Sequence, residues 1–151
     1  MPIHIDISIS DQLLKLRDGS DLVMSYDISS SQFGLGEDEG SNKTPLGKFL
    51  ISEMIGGEET RGTRFKSRQV EGVWKKGVDD ENDLILSRIL WLEGVEDHNS
   101  NTKDRYIYIH GTNQENLIGT QASMGCIRMM NADVIDLYSR VTEGTTVEIT
   151  A

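Results

Sequence analysis

The single cysteine of this 151-residue chain, Cys126, lies in the run Ala122-Ser123-Met124-Gly125-Cys126-Ile127-Arg128-Met129. Sixteen residues earlier His110, followed by Gly111, closes the run Tyr106-Ile107-Tyr108-Ile109-His110. A thiol, an imidazole and a glycine beside each are the parts of a cysteine nucleophile with its base. Neutral imidazole can take the thiol proton, or the two can rest as a thiolate–imidazolium pair. Gly125 lets the backbone turn tightly, so N–H groups near Gly125 and Cys126 can converge on a developing oxyanion. Arg128 offers a fixed fork for a substrate carboxylate, and its charge would lower the thiol pKa. No Asp or Asn is placed by sequence to orient His110, so a backbone carbonyl is the candidate.

Rival chemistry is weak. His4 sits in an alternating strand-like run and His98 in the loop-like Glu96-Asp97-His98-Asn99-Ser100. Neither forms a zinc-ligand spacing with His110 and Cys126. Gly34-x-Gly36 lacks the third glycine and helix of a dinucleotide site. Ser123 has no nucleophile-elbow motif around it and reads as a residue shaping the turn before the thiol. No cofactor or metal is expected.

These residues need a scaffold, and short alternating runs supply it. His4–Ser8, Leu13–Arg17, Leu22–Ile28, Lys48–Met54, Leu84–Leu92, Tyr106–His110 and Thr145–Thr150 read as strands. Asp18-Gly19-Ser20 is a hairpin turn, and Phe33–Asn42 is a loop. The polar stretch Glu58–Gly72 reads as a long surface loop, of the kind that forms functional lids. Asn131–Arg140 is the best helix, with Asn131 as cap and Val134, Ile135 and Tyr138 on one face. The pattern predicts one mostly-β domain over 1–151, a sandwich or barrel with one or two short helices and a late helix near 131–140. Trp91, Tyr106 and Tyr108 read first as core aromatics.

Composition sets the bounds. Hydrophobic residues make up 36% and charged residues 26%, which fits a globular domain. A net charge of −10 disfavours nucleic acid. The acid is densest at Glu37-Asp38-Glu39 and Asp79-Asp80-Glu81, both read as solvated loops. No run reaches the ~18 apolar residues of a membrane span. One cysteine allows no internal disulfide.

The runs Tyr108-Ile109-His110-Gly111-Thr112 and Ala122 to Met129 together resemble the signature of the L,D-transpeptidase catalytic domain family (YkuD-type). Thr44-Pro45-Leu46-Gly47-Lys48-Phe49 resembles that family's Thr-Pro-x-Gly-x-Phe segment. Asn131-Ala132-Asp133-Val134, Leu137-Tyr138 and Gly144–Ile149 resemble its closing helix and strand. The resemblance implies a β-sandwich-like domain acting on peptidoglycan stem peptides in the periplasm or cell envelope. No leader is legible in Met1–Asp6, so a cytoplasmic location is also open.

By resemblance, Cys126 attacks the carbonyl between diaminopimelate and terminal D-alanine, leaving a thioester for an amine to take. His110 would relay protons, and the carbonyl of Gly111 would orient it. Backbone amides at Gly125 and Cys126 would hold the oxyanion, with Arg128, Ser123, Met124 and Tyr108 near the donor peptide. Met124 stands where many members carry a second histidine, which makes the pocket wall more apolar. Two alternatives keep the same fold: an L,D-carboxypeptidase with water as acceptor, and a non-catalytic cell-wall binding module. The acceptor amine and the oligomeric state are not legible.

Overall fold

The computed structural model describes residues 3–78 and 81–151. Alternation governs the first half. In β1 (Ile3–Ser8) Ile5 and Ile7 are buried, and in β2 (Leu13–Asp18) Leu14 and Leu16 face them. The chain turns at Gly19-Ser20 into β3 (Asp21–Ser29). A long irregular segment then leads to β4 (Gly47–Ile55), which buries Phe49 and Ile51.

The predicted loop at Glu58–Gly72 is instead mostly a hairpin, β5 (Thr63–Lys66) and β6 (Gln69–Val73). Thr63 and Phe65 point inward, but every residue of β6 is exposed. A strand with neither face buried carries no hydrophobic alternation, so its pattern is silent. β7 (Ile85–Gly94) is buried almost throughout. β8 (Tyr108–Gly111) starts later than the alternation suggests, because Tyr106 sits in a turn at φ 57°. β9 (Ile127–Met129) has no counterpart in the sequence reading, being short and wholly buried. Short 3-10 turns occupy Asp97–Asn99 and Glu115–Leu117.

α1 (Asn131–Arg140) has the predicted span but not the predicted cap. Met130 is the residue at the cap position, and Asn131 begins the helix. The Asn131 N–H donates to Glu115 Oε2 at 2.7 Å, so a carboxylate from the preceding loop satisfies the helix start. The buried stripe is Asn131, Val134 and Leu137, with Ile135 and Tyr138 only half-buried. β10 (Thr146–Thr150) ends the chain's regular structure.

All ten strands join one sheet in the order β4-β10-β1-β2-β3-β9-β8-β7-β5-β6, and an added β4–β7 pairing closes it into a barrel-like wall. The fold is therefore mostly β, with the sandwich-like layers joined by closure. Pairings β1–β10 and β8–β9 are parallel, and the others are antiparallel. The main core lies inside this wall and takes Val134 and Leu137 from α1. The hairpin β5–β6 hangs from the start of β7 through Arg64↔Leu86 and Phe65↔Ile85. No helix among the described residues is long and apolar enough to cross a membrane. Of the two acidic runs, Asp79 and Asp80 lie outside the described residues.

Candidate active site

The parallel pairing of β8 and β9 sets the strand that carries His110 beside the one that follows the thiol. Its register sets Ile109 against Ile127 and His110 against Arg128. Cys126 precedes β9 by one residue, so it falls two positions along from Arg128. Strands ~4.8 Å apart with ~3.3 Å per residue would set the His110 and Cys126 Cα atoms roughly 8 Å apart if the strand geometry ran on to the cysteine.

The turn that carries the thiol is strapped from two directions. Gly125 adopts φ 122°, a conformation that favours glycine. Ser123 is fully buried; its Oγ donates to the Cys126 carbonyl at 2.6 Å and accepts the Gly125 N–H at 3.2 Å. Thr44 Oγ1 donates to the Gly125 carbonyl at 3.0 Å and accepts the Ser31 N–H at 3.0 Å. Backbone bonds from Ser123 N to Ser30 O and from Gln32 N to Ser123 O complete the strap. Ser123 is thus a turn-shaping residue. The Gly125 amide, read as an oxyanion donor, is already committed to Ser123 Oγ in this state.

His110 is buried, and its Nδ1 lies 2.6 Å from the Gly111 carbonyl. A carbonyl only accepts, so Nδ1 carries the proton and the lone pair is on Nε2. Gly111 tolerates no side chain, since a Cβ there would lie 2.6 Å from the Leu86 carbonyl and against Asn131. Asn131 is itself fixed by the Ser87 hydroxyl (2.6 Å), by the Thr112 carbonyl (2.8 Å) and by Glu115 (3.2 Å). Ser87 holds φ 73° at the register shift of β7. This network fixes the loop whose carbonyl orients the ring. Its only sequence signal was the position of Asn131 beside the helix.

The sulfur is partly exposed. It accepts the Tyr108 N–H at 3.3 Å and donates to the Tyr106 carbonyl at 3.4 Å. No hydrogen bond joins it to His110 among the described residues. Burial, helped by Asp83, pushes the thiol pKa up to about 12, against the smaller opposing pull of the Tyr108 N–H, Arg105 and Arg128. Burial also lowers His110, with Arg128 adding to the shift and Asp83 and the Gly111 carbonyl opposing it. Both shifts favour neutral thiol and neutral imidazole over the ion pair, the other resting state that the sequence leaves open. Arg128 does pull the thiol downward as expected, but desolvation outweighs it.

Arg128 is also not an open fork. Its side chain is fully buried, and Nη1 donates to Asp83 Oδ1 at 3.0 Å and Gln114 Oε1 at 2.7 Å. Nε and Nη2 have no hydrogen-bond partner among the described residues. The charge lies beneath the site, where it acts on both titrating groups. Its partners Asp83 and Gln114 were not found by sequence reasoning, since Asp83 is 45 residues away.

Two different walls flank the sulfur. On one side Met124 is 46% exposed, with Sδ 3.6 Å from Gln32 Nε2. It borders a cavity of about 480 Å³ whose lining includes Glu81, Asp83, Gln114 and Gln121. On the other side Tyr108 is buried among Trp91, Phe65 and Ile89, with Cys126 against the same cluster. His4 and His98 stand apart: His4 faces Asp6, and His98 contacts the Leu46 carbonyl and Glu37. No cluster of metal-ligating residues occurs among the described residues.

The L,D-transpeptidase catalytic domain (YkuD) model matches residues 2–149, and the chain belongs to that family. No curated protein sequence matches significantly. Among solved structures, an L,D-transpeptidase from Xylanimonas cellulosilytica is similar at TM-score 0.64 and 18% identity, over 99% of this chain and 60% of that one. L,D-transpeptidase 3 from Mycobacterium tuberculosis with a faropenem-derived adduct gives 0.63 and 13%, over 99% and 60%. A mutant L,D-transpeptidase from Enterococcus faecium gives 0.62 and 14%, over 99% and 50%. The chain spans about half to three-fifths of those proteins, and at these identities the likeness is one of fold.

Proposed function

We propose that this chain is a peptidoglycan L,D-transpeptidase working at the cell envelope with Cys126 as nucleophile and His110 as its base. The observation that supports the reading is the β8–β9 register, which lays the His110 strand beside the one that follows Cys126, with the histidine lone pair on Nε2. The thiol proton now rests against the Tyr106 carbonyl, which is no base. Rotation of the Cys126 side chain toward Nε2 hands the proton to His110 as sulfur attacks the carbonyl before the terminal D-alanine. The tetrahedral oxyanion takes the Cys126 N–H, and the Gly125 N–H once that bond is shared away from Ser123. His110 returns the proton to the departing D-alanine amine. An amine then attacks the thioester, and His110 takes its proton and hands it to the departing Cys126 sulfur, which restores the resting thiol. Gly111 keeps the ring in the required tautomer throughout, and Met124 and Tyr108 line the donor site.

The test is mass spectrometry of the protein with a tetrapeptide stem and, separately, with a carbapenem. The expected result is a covalent adduct on Cys126 in each case, absent in Cys126→Ala, with a cross-linked dimer as peptide product. Adduct formation that survives Cys126→Ala removes the mechanism. Release of tripeptide alone assigns water as the acceptor and makes the enzyme a carboxypeptidase.

A further inference from the structure

The tip of the β5–β6 hairpin carries an arginine in an unusual setting. Ser67 and Arg68 form its two-residue turn, with φ 49° and 65°. Turns of this kind favour Asn-Gly, and a long side chain in the left-handed region is uncommon. Arg68 nonetheless holds a defined place. Its guanidinium carbon lies 4.9 Å from the Trp91 ring centre and 5.1 Å from that of Tyr106. Its Nη1 donates to the Tyr108 hydroxyl at 3.1 Å. The three rings brace one another, Trp91 lying 5.9 Å from Tyr106 and 5.6 Å edge-on from Tyr108. Tyr106 and Tyr108 are also the residues whose backbone holds the sulfur.

The cation feels the field of Glu53 but forms no ion pair among the described residues. Among the described residues no carboxylate lies within ion-pair distance of Arg68, in a chain with 25 acidic side chains against 15 basic ones. Arg17, Arg128 and Arg140 all have such partners. The other arginines near the thiol are committed: Arg128 is buried on Asp83, and Arg105 donates to the carbonyls of Gly36 and Lys43. Among the described residues the guanidinium of Arg68, with five donors, makes one hydrogen bond, and none of its nitrogens is a buried orphan.

We infer that Arg68 is the anion reader of this site: its guanidinium, clamped on Trp91 and Tyr106, binds a carboxylate of the donor stem peptide. The inference rests on the transpeptidase reading. A tetrapeptide stem ending in diaminopimelate and D-alanine offers two carboxylates near the scissile bond, the terminal one and that of the diaminopimelate side chain. Clamping pre-organises the fork, so little side-chain freedom is lost on binding.

The test uses the Cys126→Ala protein, which cannot acylate, and four tetrapeptides: unmodified, C-terminally amidated, side-chain amidated, and amidated at both. Binding is read by calorimetry and by fluorescence of Trp91. The unmodified peptide is expected to bind about tenfold tighter than the form lacking the carboxylate that is read, the scale of a charge-assisted hydrogen bond. Which single amide loses the affinity tells the two carboxylates apart. Arg68→Gly, which suits the turn, should weaken the unmodified peptide about tenfold and erase its advantage over the amides. Arg68→Lys should recover part of the loss. Equal weakening of all four peptides by Arg68→Gly overturns the inference and leaves Arg68 a latch for the hairpin. An unchanged affinity for the unmodified peptide overturns it too. If none of the four binds and a carbapenem fails to modify the wild-type protein, it is the transpeptidase reading that has failed, and the inference falls with it.

Discussion

Two stretches of the same sheet follow opposite rules. Along β1, β2 and β10 the inner positions are Ile5, Ile7, Leu14, Leu16, Val147 and Ile149, while His4, Asp6, Lys15, Arg17 and Glu148 line the outer face. Along β8 and β9 every residue is buried, including His110 and Arg128. The first wall has a core on one side and water on the other. The second has the core on one side and the site loops on the other. Both feed the main core, but the second also desolvates polar groups, and it pairs them incompletely, since Arg128 Nε and Nη2 find no partner among the described residues. That desolvation sets the resting chemistry, raising the thiol and lowering the imidazole.

The contrast can be broken hardest at Asp83. Removing it leaves the buried Arg128 charge uncompensated, and Asp83→Ala should cost about 3–5 kcal/mol in denaturant unfolding. Replacing both, as Asp83→Ala with Arg128→Met, should recover most of that loss. A double mutant as unstable as the single one would show that the pair is not the cause.

On the first wall the largest change is a cavity. Leu14→Ala should cost about 3 kcal/mol, yet leave the carbapenem acylation rate of the folded protein unchanged. A slowed rate would mean that the two walls are mechanically coupled.

The pH dependence separates the walls more gently. His110 binds its proton less well folded than unfolded. Its contribution is complete above the unfolded value of about 6.5 and is lost as pH falls below it. Cys126 holds its proton more tightly folded. Its contribution is complete below the ordinary thiol value of ~8.5 and is lost as pH rises from there toward about 12. The unfolding midpoint should therefore fall on both sides of this window. Cys126→Ala should flatten the alkaline limb, whereas Leu14→Ala should lower the whole curve without reshaping it. Alkylation of Cys126 that is already maximal at pH 7 would contradict the raised thiol.

Legibility in the sequence tracks the same division. The strands of the first wall were readable because one face is dry and the other wet, which is what alternation records. The helix span was readable for the same reason. β9 was not, since Ile127-Arg128-Met129 is buried on both sides, and β6 was not, since it is buried on neither. At the site, Cys126 and His110 stood out by residue type and by family resemblance. Their surroundings did not. Arg128 looked like an open fork because Asp83 and Gln114 meet it only in three dimensions. Arg68 had no local signal at all, because its meaning comes from rings 23, 38 and 40 positions away.

The packing around the sulfur has a chemical corollary. Thiolate, not thiol, attacks peroxides and disulfides, and the burial that raises Cys126 favours the protonated form. Sulfenic acid and mixed disulfides should therefore form on Cys126 more slowly than on an exposed cysteine.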